Sequence, residues 1–193
     1  MRSLNDRYDA AVAAIDAANA DDPNMVTVRG RELPLALAHG QLAVDWIGQL
    51  VDHPDEALLL AARAHHLRRW QVRRDSYPAG RPGYLRWRRD QKVRHAADVA
   101  EILESCGYAA SEIERVQRLV KRESIDGAQA VEDAACLVFI ETQLAALAGR
   151  MDHELMIEVI RKTARKMSQS GLDAVASIPL TDSERALLGE ALG

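Results

Sequence analysis

The stretch AVEDAACLVFI, Ala130–Ile140, decides how this chain is read. Its last seven residues are apolar on every side of a helix, which is the mark of a central buried element rather than an amphipathic one. Continuing the 3.6-residue pattern in both directions predicts a helix over residues 128–148. Two carboxylates enter this apolar surround. Asp133 shares a stripe with Leu137, Ile140 and Leu144, and Glu132 shares one with Cys136 and Phe139. A buried charge is costly unless it finds a cation, a metal or hydrogen-bond donors, so at least one of the two must have a partner elsewhere in the chain.

Outward from that helix, the 193 residues read as helical throughout. Alanine and leucine dominate, while aromatic residues are only 4% of the chain, which favours helix over strand. Helices are expected over residues 4–19, 35–51, 55–69, 84–105, 111–122, 153–168 and 183–192. Ser111-Glu112-Ile113-Glu114 has the form of a capping box. DDPNMVTVRGRELP reads as a loop with a short extended piece at residues 25–28, and residues 71–83 as a basic aromatic loop. The expected fold is an all-α, single-domain helical bundle over residues 1–193.

A charged fraction of 28% and a hydrophobic fraction of 48% suit a globular protein and exclude general disorder. No 18-residue apolar run suggests a membrane span, and MRSLNDRYDA is neither a signal nor a transit peptide. Two cysteines, Cys106 and Cys136, make no disulfide framework, so a reducing cytoplasm is the expected compartment. The net charge of −4 is unevenly distributed. Residues 63–94 hold eleven Arg and Lys against Asp75 and Asp90, a local excess of +9, which leaves −13 for the other 161 residues. That distribution fits one localised anion site better than a surface that tracks nucleic acid.

The basic segment HHLRRWQVRRDSYPAGRPGYLRWRR also supplies flat aromatic surfaces. Arg63, Arg69, Arg81 and Arg88 offer forks for phosphate or carboxylate, and Trp70, Tyr77, Tyr84 and Trp87 offer stacking faces. Arg161, Lys162, Arg165 and Lys166 form a further cationic set on a late helix, Lys162 and Lys166 being its site candidates, and facing water is the alternative for it. A small anionic ligand, phosphorylated, would use both features, and so would single-stranded nucleic acid. A solvated loop whose arginines pair with the acidic body is the plainer alternative. KMSQS at residues 166–170 is similar to the lysine loop of class I aminoacyl-tRNA synthetases but lacks the parallel sheet that such a loop needs. GRPGY is not a phosphate-cradling loop, and Ser76 has no evident base.

Imidazoles gather on the same helices. His39 lies on the stripe of Leu35, Leu42, Trp46 and Leu50; His66 follows Leu59 and Ala62; His65 follows Leu58 and Ala61. Neutral histidines with one or two carboxylates suit a divalent metal such as Mn, Fe, Zn or Mg, and a hydrogen-bonded core histidine is the plain alternative for each.

This order of helix-borne His39, His65-His66 and Asp133 resembles the HD-domain metal-dependent phosphohydrolase superfamily, with LAARAHHL as the helix that carries adjacent His-Asp there. The resemblance implies a divalent metal held by His66, Asp133 and His39 or His65, and hydrolysis of a phosphorylated substrate. His66 stands in place of the aspartate, which alters the charge of such a site. A second resemblance covers nearly the whole chain: YDAAVAAIDAANADDPN, LAARAHHLRRWQVRRDSYPAGRPGYLRWR, AVEDAACLVFIE and VIRKTARKMS are similar to the family catalogued as domain of unknown function 4202. Its motif is matched here by His66, Arg69, Trp70, Ser76-Tyr77-Pro78, Arg81, Tyr84, Trp87, Glu132 and Asp133. His65 and His39 stand where that family often has Gln and an aromatic residue, which moves weight to His66 with Asp133, and His95 becomes a third metal partner. Glu132 is then the candidate base. The expected function is metal-dependent hydrolysis of a small phosphorylated anion. A non-catalytic anion- or nucleotide-binding module on a degenerate HD scaffold and a nucleic-acid-binding protein stand as its competitors.

Overall fold

The computed structural model describes residues 4–193. The fold is all-α, with a single hairpin among the described residues. Helix α1 is Leu4–Ala20; strands β1 (Met25–Val28) and β2 (Arg31–Pro34) follow, and α2 is Leu35–Leu50. Then come α3 (Glu56–Ala64), α4 (Gly80–Ser105), α5 (Ala110–Lys121), α6 (Ala128–Ala148), α7 (His153–Ala164), α8 (Gln169–Ala174) and α9 (Asp182–Leu192). No helix among the described residues is long and apolar enough to cross a membrane.

α6 is the centre, as its sequence implies. It packs against α2, α3, α5, α7 and α8, and Val131, Ala134, Leu137, Val138 and Leu144 are almost wholly excluded from water. α2 reaches α6 and α3 closely. A Cβ on Gly40 would stand 2.5 Å from the Arg63 carbonyl oxygen, so glycine sets that approach.

Five local structures differ from the sequence expectation; one is the late helix, which ends at Ala164 instead of residue 168 and is followed by the unexpected α8. The extended piece is a hairpin, in which Val28 pairs with Arg31 and Met25 with Pro34. Arg29 and Gly30 turn it with φ of 50° and 75°, the handedness that hairpin turns need. Arg29 is an unusual residue there, and its guanidinium is held at 2.8 Å by Asp45 on α2 and at 2.8 Å by Glu141 on α6. The third helix ends at Ala64, not at residue 69, because the His65 ring takes the Ala62 carbonyl and Arg68 adopts φ 50°. The long helix begins at Gly80, four residues earlier than expected, with Pro82 in its first turn where a missing N–H costs nothing. Gly83 permits this, since a Cβ would fall 1.9 Å from the Pro78 carbonyl oxygen. The loop over residues 71–83 is therefore shorter than its composition suggests. The fifth helix is capped at Ala109 rather than Ser111, with the Glu112 carboxylate accepting the Ala109 N–H at 2.8 Å.

Candidate functional site

Four histidines from four chain positions meet beside α6. His39 comes from α2, His65 and His66 from the turn after α3, and His95 from α4. The His66 ring lies 4.1 Å from that of His65, 5.1 Å from His39 and 6.2 Å from His95, centre to centre. His39, His65 and His95 are buried, while His66 reaches the wall of a cavity of about 430 Å³ that all four line. Burial pushes the imidazoles of His39 and His95 down to about 3, and those of His65 and His66 well below the ordinary value. The nearby guanidiniums of Arg69 and Arg122 add to the effect, so all four rings are neutral at neutral pH.

Their tautomers follow from their partners. His65 Nδ1 lies 2.8 Å from the Ala62 carbonyl oxygen and His95 Nδ1 2.7 Å from that of Leu67. A carbonyl only accepts, so both Nδ1 atoms carry the proton and both Nε2 atoms carry a lone pair. Those two Nε2 atoms are buried without a hydrogen-bond partner. His39 Nε2 meets Thr142 Oγ1 at 3.1 Å, and the Thr142 hydroxyl is already donated to Val138. With Thr142 accepting, His39 Nδ1 accepts from His66 Nδ1–H, 2.9 Å away, and the Gln143 amide nitrogen, 3.4 Å from His39 Nε2, makes only a long contact.

Cations ring the rest of the cavity. Arg69, Arg88, Lys92, Arg122 and Lys166 line it, against the single carboxylate of Glu132. Arg122 ends α5 in the left-handed region at φ 56°, which turns its side chain inward. Its Nε lies 3.0 Å from Glu132 Oε2 without hydrogen-bond alignment. Burial lowers Arg122 and brings Arg69 down to about 10, still protonated at neutral pH. Lys92 falls to about 8, by burial first and then by the neighbouring Arg122. Arg69 stacks 4.4 Å above the Trp87 ring, and Arg88 lies 5.7 Å from that of Tyr84. The segment carrying Arg69 hangs from α4: the buried Gln91 amide donates to the Arg69 and Val72 carbonyls at 2.9 Å, and the Trp87 indole to Val72 at 2.9 Å. The Cys136 thiol is raised to about 11 by burial and then by Glu132, so it is no nucleophile there.

The sequence candidates thus divide. His39, His65, His66, His95, Arg69, Tyr84, Trp87, Arg88, Glu132 and Lys166 line one cavity. Asp133 does not. Its Oδ1 accepts from the Ser168 N–H at 2.8 Å and the Gln129 amide at 2.9 Å, and its Oδ2 from the Ser168 hydroxyl at 2.6 Å. The set His66 with Asp133 is therefore not assembled; Asp133 instead fixes the turn that carries Lys166. Arg63 pairs with Asp16 on α1, at 2.6 Å through Nε, and Lys162 pairs with Glu158. Trp70 and Tyr77 line a separate, more open cleft of about 960 Å³ that shares only Arg69 and Trp87 with the histidine cavity. The Tyr77 hydroxyl donates to Asp90, and Arg81 is exposed.

Lys92, Gln91 and Arg122 were not singled out from sequence. Tyr84, Arg88, Lys92 and His95 recur at helical spacing along one face of α4, a signal that the basic composition of the segment hides. Arg122 has no such signal, because it acts from a helix end.

As the rings stand, no three His, Cys, Asp or Glu side chains among the described residues form a metal-holding group. Two buried imidazole lone pairs, on His65 Nε2 and His95 Nε2, lack partners, and each of those rings is oriented by a bond from its other nitrogen.

No curated protein and no solved structure matches the chain. One family model does, and it spans residues 9–188, from the first helix to the last and so across every element that builds the cavity. The chain belongs to the family described as Domain of unknown function (DUF4202).

Proposed function

We propose that this protein binds a small phosphorylated molecule in the histidine cavity and hydrolyses its phosphate ester. One observation carries the proposal: five cationic side chains and one carboxylate line a single half-open cavity of about 430 Å³. Such an excess of positive charge, partly withdrawn from water at Arg69, Lys92 and Arg122, is offset by an anion. Arg122 and Arg88 present planar forks, and Lys92 and Lys166 present point charges, a combination that suits a tetrahedral dianion. Tyr84 and Trp87 at the wall give an apolar face for the organic part of the ligand.

In the reaction these cations neutralise the charge that grows on the phosphoryl oxygens and the leaving oxygen. Glu132, whose carboxylate lies 3.0 Å from Arg122 Nε, would hold that guanidinium in place, a positioning role instead of the free base expected from sequence. A metal bound by the imidazoles would supply a water of lowered pKa as the nucleophile. The arrangement of His39 and His65-His66 on successive elements, similar to the HD hydrolases, supports the same class of reaction.

An extended nucleic acid is a poorer fit. Outside the cavity Arg81 and Arg86 are exposed, but other arginines of the basic segment are occupied: Arg73 by Asp75, Arg89 by Asp90, and Arg74 by the carbonyls of Tyr77, Pro78 and Gly80. The occupied ones form no free track for a polymer backbone.

Calorimetric titration with inorganic phosphate and pyrophosphate, followed by a hydrolysis screen over phosphate monoesters, tests the proposal. Saturable binding that weakens about tenfold or more in Arg88→Ala is expected, since a lost charge-assisted bond costs roughly 1.5–3 kcal/mol. Absence of phosphate binding at low salt overturns it.

A further inference from the structure

We infer that the phosphorylated ligand is an amphiphile, a single-chain phosphate ester taken up as a free molecule, whose apolar chain lies along α6 and α7. This deepens the phosphate reading of the cavity and rests on it. The starting point is a gradient of polarity along two neighbouring helices. On α6, Glu132, Cys136, Phe139, Gln143 and Leu147 share one stripe and all line the cavity, a span of about 20 Å at the rise of a helix. On α7 and the turn after it, Val159, Thr163 and Lys166 line it at helical spacing. The two helices run antiparallel: the Gln129 amide donates to the Lys166 carbonyl at 2.8 Å, Cys136 Sγ lies 4.0 Å from the Thr163 carbonyl oxygen, and the chain reverses around Met151. Charge therefore gathers at the end of Arg122, Glu132 and Lys166, and the opposite end is made by Leu147, Met151 and Val159.

An apolar helix stripe is normally covered by the fold. Here Phe139, Leu147, Met151 and Val159 are only partly buried, and Leu155, one turn before Val159 on α7, is 51% exposed. The apolar line thus runs from the cationic end out to the surface, which leaves room for a chain longer than the cavity.

The facing wall disfavours a body rich in hydroxyls. His39 meets Thr142 and lies 3.4 Å from Gln143, so the histidines stand over the middle of α6. His65 and His95 direct Nδ1–H to backbone carbonyls, and their Nε2 atoms are closed to solvent. Both nitrogens of His39 are engaged, by Thr142 and by His66. Three of the four rings therefore offer a ligand no hydrogen bond. A sugar placed against them would leave hydroxyls unmatched, whereas methylenes lose nothing there.

The experiment is calorimetric titration at pH 7 and low salt with inorganic phosphate, with methyl, butyl and octyl phosphate below their micelle concentrations, and with adenosine monophosphate. Affinity is expected to rise roughly fourfold per buried methylene, so octyl phosphate should bind at least about a hundredfold more tightly than methyl phosphate. Leu147→Gln and Val159→Gln should each cut that preference about tenfold or more, with circular dichroism to confirm folding. Equal affinity for methyl and octyl phosphate overturns the chain and leaves the phosphate reading standing. A preference for adenosine monophosphate over octyl phosphate assigns the organic part to an aromatic wall and likewise overturns it. A long-chain preference that both glutamine variants leave intact puts the chain elsewhere and overturns the site. Sedimentation of the protein with phosphatidic acid vesicles, without a gain from octyl phosphate, points to a membrane and overturns the free amphiphile. Failure of every one of these phosphates to bind overturns the phosphate reading itself.

Discussion

Glu132 and Asp133 are consecutive on α6, yet they enter two buried clusters of opposite character. Around Asp133 each carboxylate oxygen is matched, by the Ser168 N–H and hydroxyl and the Gln129 amide. Packing there is tight enough that a Cβ on Gly171 would lie 2.7 Å from Asp133 Cγ. Around Glu132 the matching is incomplete: Arg122 Nε is not aligned with its partner, and two histidine nitrogens have none. A saturated polar cluster has nothing left to offer a ligand and contributes to structure. An unsaturated one retains free energy that a ligand can recover. The pair therefore separates the structural carboxylate from the functional surround, although both lie on the same helix.

The comparison breaks most visibly in acid. All four clustered imidazoles are neutral in the fold, with values depressed below the 6.5 of a free histidine. Their contribution is present above pH 6.5 and is lost as pH falls below it, because the unfolded chain then binds protons that the folded chain refuses. The loss continues down to about 3 for His39 and His95. At pH 5.5 His39 and His95 cost roughly 3 kcal/mol, at about 1.4 kcal/mol per histidine per pH unit, and His65 and His66 act in the same direction. Chelator-treated protein should therefore show a steep fall in melting temperature between pH 7 and 5.5. A flat profile over that interval contradicts the neutral buried cluster.

Asp133→Ala comes next in size. It leaves the Ser168 N–H and hydroxyl without their acceptor in a buried place, and about 3 kcal/mol of stability should disappear from urea unfolding curves. Because Lys166 shares that turn through the bond from Gln129 to its carbonyl, phosphate affinity should fall as well. A loss below about 1 kcal/mol would mean that Asp133 is not the structural member of the pair. Smaller still is the titration of Lys92, at about 8. Phosphate affinity should decline a few-fold as pH rises from 7 to 9 and this ammonium discharges. Lys92→Arg, which stays charged, should remove that decline.

Much of this was legible in the sequence. The apolar surround of Ala134–Ile140 placed α6 at the centre, because a helix hydrophobic on all sides has nowhere else to go. The stripes on α2, on α3 and on α6 brought His39, His66 and Glu132 toward the same interior. What the stripes did not carry is rotation within a buried helix. On an apolar surround both Glu132 and Asp133 point inward, and only the position of Ser168, 35 residues later, decides which is saturated. Nor did the basic composition of residues 63–94 separate arginines that turn into the cavity, such as Arg69 and Arg88, from Arg63, which faces α1. Arg122 escaped because a left-handed helix end sets its direction and no periodicity reports that.

Lys162 and Lys166 give the most direct test. In sequence they are one cationic pair on one late helix. In the fold both are exposed, but Lys166 stands at the cavity wall whereas Lys162 is paired with Glu158 outside it. The decisive measurement is the phosphate affinity of Lys166→Ala beside that of Lys162→Ala, by calorimetry at pH 7 and low salt. If the cavity is the anion site, Lys166→Ala weakens binding about tenfold and Lys162→Ala leaves it unchanged. Equal losses in both variants, or none in either, would place the anion outside the cavity and contradict the account.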